Sequence, residues 1–146
     1  MAKFKLEPVL RLRQHREESR KRELAVAVAI ETERKEGVRR LAGMRDEQRQ
    51  TLRQVQQTGT LDMETVIQER QYVGLLDREI GLSLGVVAGA ERETAARRGR
   101  MIEAMKERKA LEVLKERSRL AEQRREAAVE AAALDEVAAV QFERKR

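Results

Sequence analysis

The sequence predicts an all-α protein, an elongated antiparallel two-helix coiled coil, in other words a helical hairpin. Three observations predict it. The 146 residues are 40% charged and 2% aromatic, with one Pro and no Trp. Ala, Glu, Arg, Lys, Leu and Gln, all strong helix formers, dominate instead. Apolar residues recur at helical spacing, which argues against the disorder that high charge alone would allow. A single good break, Thr58-Gly59-Thr60, divides two long helical patterns. The chain reads as one coiled-coil domain over 1–146: helix 1 about 8–57, a turn about 58–61, and helix 2 about 62–146.

Helix 1 opens with FKLEPVLRLRQHREE, residues 4–18, a few apolar residues ahead of a run of charge. Pro8 suits a first helical turn, where its missing N–H has no partner to lose. The apolar positions then come in pairs: Leu24 and Ala27, Val38 and Leu41, Leu52 and Val55. Successive pairs lie two heptads apart, and Leu10 sits one such interval before Leu24. The heptads between them place Glu31, Arg34, Arg45 and Gln48 on the same stripe. This is a coiled-coil seam with alternate layers polar, weaker than a leucine zipper and more dependent on its partner.

At the break, Gly59 suits a helix C-cap, and Thr60 or Asp62 suits the next N-cap. Asp62 and Glu64 put negative charge at the positive end of the second helix dipole. Val66, Val73, Leu76 and Ile80 begin the helix 2 stripe, and Met101, Met105, Leu111 and Leu114 continue it. At 1.5 Å per residue helix 1 would be about 75 Å long and helix 2 about 125 Å. Helix 2 therefore either overhangs or bends. Gly81, Gly85 and Gly89 mark the place for a bend, although their four-residue spacing favours close approach of another helix over a hinge.

Composition excludes several functions. Without Cys there is no disulfide and no zinc–thiolate site. The N-terminus has no secretory signal pattern. The longest bulky uncharged stretch, IGLSLGVVAGA at 80–90, is about half of a membrane span. That makes a cytoplasmic location the default and direct membrane insertion unexpected. His15, the only histidine, sits among Arg13, Arg16, Glu17 and Glu18 and reads as a surface residue. No HExxH, phosphate-binding loop or dinucleotide fingerprint is present. No catalytic residue, metal ligand or cofactor site is expected, and therefore no enzyme. Charge is uneven: residues 7–57 carry +4, residues 62–96 carry −4, and residues 97–146 carry +4. Basic clusters at 20–22, 39–40, 97–98 and 124–125 each have acids within a turn or two, and few aromatics exist to stack on bases. Nucleic acid is not the expected partner.

The opening stretch carries a resemblance. Phe4-x-Leu6-x-x-Val9-Leu10-x-x-Arg13-x-x-x-Glu17, followed by Leu24, resembles the N-terminal signature of the flagellar protein FliJ family. Lys109-x-Leu111-Glu112-x-Leu114-Lys115-Glu116-Arg117, then Leu134-Asp135-Glu136 and Phe142, resemble that family's terminal helix. The resemblance implies a soluble component of the bacterial flagellar type III export apparatus, with a fold similar to the gamma stalk of rotary ATPases. It implies a place in the pore of the export ATPase hexamer, a link to the cytoplasmic domain of the membrane export gate, and escort of export chaperones. It implies a cytoplasmic protein peripherally associated with the inner membrane at the flagellar base. On this reading Phe4, Leu6, Val9, Leu10 and Arg13 meet the ATPase. Leu52, Val55, Tyr72 and Leu76, nearer the turn, face the gate, and Leu24, Ala27, Val38 and Leu41 form the seam. Two other readings stand beside it: a self-associating coiled-coil scaffold, and a nucleic-acid-binding helical protein whose affinity would fall steeply with salt.

Overall fold

A computed structural model describes residues 3–59 and 62–146. Two helices account for nearly all of them: α1, Glu7–Thr58, and α2, Met63–Arg144. There is no strand among the described residues. The two long helices pack against each other as a helical hairpin.

Local chemistry sets the helix ends. The Glu7 N–H donates to the Phe4 carbonyl at 3.1 Å and the Leu10 N–H to the Leu6 carbonyl at 2.9 Å, so the chain turns into α1 just ahead of Pro8. Gly59 has φ +67°, the left-handed conformation that closes a helix C-terminus and that a side chain makes costly. Asp62 opens α2: its carboxylate accepts from the Glu64 N–H at 3.4 Å and its carbonyl from the Val66 N–H at 3.2 Å. Thr60, the other candidate cap, lies outside the described residues.

The chain forms two compact units. One joins the described residues up to Ser19 to Ile102–Arg146, and the other is Arg20–Met101. In the first unit Glu7 pairs with Lys115 at 2.8 Å and Arg13 with Glu107 at 2.6 Å, so residue numbers rise on one helix as they fall on the other. In the second, Glu23 pairs with Arg97 at 3.1 Å, Lys35 with Glu91 at 3.2 Å and Arg45 with Asp77 at 3.3 Å, again antiparallel.

Burial follows a strict heptad on both helices. On α1 the positions Leu10, Glu17, Leu24, Glu31, Val38, Arg45 and Leu52 recur every seven residues, and each is buried or half-buried. On α2 the row Val66, Val73, Ile80, Val87, Thr94, Met101 and Arg108 does the same. Leu76, Ala104 and Leu111 occupy the intervening d-type row of α2. The buried apolar set is small: Leu10, Ala27, Leu76, Ile80, Val87 and Ala104. A two-helix coil has one seam and no second layer, so few side chains are enclosed.

The three glycines do not serve close approach of α1. A methyl group added at Gly81 or Gly85 would meet open space, and at Gly89 only the far end of Arg92, 4.0 Å away. α2 runs unbroken through all three. The spacing that puts small residues on one face is real, but that face is turned away from α1.

Candidate functional site

No enclosed chemistry is built into these helices. No group of His, Asp or Glu among the described residues is arranged to hold a metal ion. No described helix is long and apolar enough to cross a membrane. The surfaces worth examining are the seam, the stretch nearest the turn, and the end of the hairpin where α1 begins.

The seam is polar at alternate α1 layers, and each polar layer has an identifiable electrostatic solution. Glu17 is only 4% exposed, and Arg108 donates to both its carboxylate oxygens, through Nε and, at 3.4 Å, through Nη2. Glu17 and then Glu112 hold the Arg108 guanidinium above its ordinary range, so that it stays charged. Glu31 lies beside Lys35, 2.7 Å away, which keeps its carboxylate below the usual carboxylate range. The Thr94 hydroxyl helps lower it while falling outside full hydrogen-bond geometry, at 3% residue exposure. Arg45 reaches Asp46 and Asp77, and both raise its pKa. Burying such charges singly is costly, and pairing plus hydrogen bonds offsets the cost.

Among the candidate seam residues, Ala27 is 7% exposed, and Leu24, Val38 and Leu41 are half-buried. The residues matched to the family's N-terminal signature divide into two groups. Leu10 is buried and Arg13 is tied to Glu107, so both belong to the seam. Phe4 is half-buried, while Leu6 and Val9 are exposed. Phe4, Leu10 and Gln14 share an open groove of about 420 Å³ with Ser118, Arg119 and Glu122 of α2. Near the turn, Leu52 and Val55 are half-buried, Leu76 is buried and Tyr72 is exposed. Ile67 and Leu75, in the same part of α2, are exposed as well.

Sequence reasoning gave no role to the end of α2. Every residue from Gln123 to Arg146 is exposed, including Val129, Leu134, Val137, Val140 and Phe142. Helix 2 therefore overhangs. The signal was available in the unequal helix lengths, although that inequality also allowed a bend.

A helical hairpin with a polar-layered seam and exposed apolar residues beside it offers surfaces on which other proteins can pack. The family comparison is specific: the model described as Flagellar FliJ protein matches residues 2–146. The chain belongs to the FliJ family, and with it to the structural components of the flagellar export apparatus. No curated protein and no solved structure matches the chain.

Proposed function

We propose that this chain is a non-catalytic stalk and adaptor of flagellar protein export. It binds the hexameric export ATPase with the end where α1 begins, couples that ring to the cytoplasmic domain of the membrane export gate through residues nearer the turn, and escorts export chaperones. It works in the cytoplasm against the inner membrane at the flagellar base. The observation that carries the reading is the open end of the hairpin. Leu6 and Val9 are 40% and 38% exposed there, beside an overhanging α2. Apolar side chains left open beside buried seam residues suit an inserted stalk, whose outer surface is covered by other subunits. Phe4, Leu6 and Val9 make the ATPase contact, and Leu10 and Arg13 hold the helix that presents them. At the other end Tyr72 faces the gate, supported by Leu52, Val55 and Leu76 behind it.

The test is steady-state turnover of the cognate export ATPase with and without this protein. A Phe4→Ala, Leu6→Ala, Val9→Ala variant, shown by circular dichroism to remain helical, runs in parallel. Stimulation by the wild type, lost in the helical variant, supports the reading. Unchanged turnover, with no co-sedimentation of chain and ATPase, overturns it.

A further inference from the structure

The overhang carries an acidic segment between two basic ends, Arg124–Arg125 and Arg144–Lys145–Arg146. Residues 126–143 contain Glu126, Glu130, Asp135, Glu136 and Glu143 and no basic residue, in a chain of net charge +6. None of these five acids has an ion-pair partner among the described residues, whereas Glu7, Glu17, Glu107, Glu112 and Glu116 of the same unit are all paired. Glu126 and Glu130 stand one helical turn apart, an arrangement of like charges that weakens a helix until a cation meets it. The exposed Val129, Val137 and Val140 lie among the acids.

The complementary surface is on the same chain. Lys5, just ahead of α1, and Val9, Leu12 and Arg16 at its start lie along one face, all exposed, with Leu12 at 65% and Arg16 3.8 Å from Glu107. Lys5 and Arg11 have no ion-pair partner among the described residues. The face is about 17 Å long and the acidic stretch about 27 Å, at 1.5 Å per residue. The overhang cannot reach this face within one molecule. α2 is a continuous helix to Arg144, and Glu7 already faces Lys115, so residues 126–143 run on beyond the start of α1.

We propose that the chain pairs with a second copy of itself, the acidic overhang of each lying along the basic 5–16 face of the other. A two-fold arrangement brings the two complementary surfaces together twice, closes, and leaves no end free to extend into a filament. Apolar contacts from Val129 and Val137 to Leu12 and Val9 supply the water-excluding part. The charges supply orientation and a strong dependence on salt. This self-association does not depend on the ATPase reading. It covers Val9, and thus describes a state in which the end assigned to the ring is masked.

Sedimentation velocity on the full chain tests it, from about 50 mM salt to about 500 mM, where the Debye length shrinks from over 10 Å to under 5 Å. The expected result is a dimer at low salt that dissociates at high salt. Glu126→Lys with Glu130→Lys, and separately Lys5→Glu with Arg16→Glu, should each shift the dimerisation constant weaker by tenfold or more. Mixing the two variants should restore a heterodimer, since each then carries the complement of the other. Circular dichroism of each variant alone establishes that the helices persist. A wild type that is monomeric throughout the salt range overturns the proposal, as does a dimer indifferent to both charge reversals.

Discussion

Arg108 donates through Nε and Nη2 to the two carboxylate oxygens of Glu17 across the seam, at a position where Glu17 retains 4% of its exposure. The same guanidinium reaches Glu112 through Nη1 at 2.7 Å. One cation thus serves a buried acid on α1 and a half-exposed one on α2. Removing the buried acid leaves Arg108 with Glu112 alone. Glu17→Ala should therefore cost about 1–3 kcal/mol, below the full penalty for an orphaned buried charge because Arg108 keeps one partner and some water. Urea unfolding followed by circular dichroism measures it. A double change to Leu at 17 and 108 should recover most of the loss, since a packed apolar layer replaces the pair.

Leu10 and Leu12 are two residues apart on one helix and face opposite environments, 2% and 65% exposed. Leu10→Ala should destabilise by about 2 kcal/mol through lost burial and an imperfectly closed cavity. Leu12→Ala should change stability by less than about 0.5 kcal/mol, as an exposed helical site. Thermal melts of the two variants at one concentration distinguish them.

The glycines of α2 offer a gain. A methyl group at Gly81 or Gly85 meets nothing within 4 Å, and both positions are helical. Gly81→Ala and Gly85→Ala should each stabilise the chain by up to about 1 kcal/mol, by reducing the freedom of the unfolded backbone. Gly59→Ala should do the opposite, because its φ of +67° strains a side chain. Melting temperatures of the three variants decide this.

Acid should loosen the hairpin. Arg20 and then Arg97 hold Glu23 below the ordinary carboxylate range, and Lys35 and then Thr94 do so for Glu31. A carboxylate lowered in the folded state contributes stability above its unfolded pKa and loses it as pH falls through the folded one. The melting temperature should therefore hold from neutrality to about pH 5 and decline from about pH 4.5 downward. A melting temperature unchanged at pH 3 would show that these pairs form equally in the unfolded chain.

The fold class was legible because its signals are local. Helix propensity, one Pro at the right place and a Gly at the break each need only a few neighbouring residues. The heptad of Leu10, Leu24, Val38 and Leu52 could be counted directly, and so could the charged positions that alternate with them. What meets those charges could not. Arg108 stands 91 residues from Glu17, and its choice as partner depends on the register in which α2 returns. The glycine stripe misled for a related reason. Spacing places 81, 85 and 89 on nearly one face, but only the rotation of α2 about its axis decides whether that face looks at α1 or at water. The end of α2 was hidden too, since an Ala-rich acidic helix reads alike whether covered or bare.

The alternation of charge and leucine along α1 also fixes how the two helices can move. Moving α1 along α2 by one heptad in one direction would carry Arg108 from Glu17 to Leu10. Moving it the other way would bring Glu122 opposite Leu10. Either displacement sets an ion against a leucine, and an ion buried without a counter-charge is heavily disfavoured. The pair is keyed as a shaft is keyed to its hub. Within the unit that joins the start of α1 to the end of α2, this register resists slippage of one helix along the other.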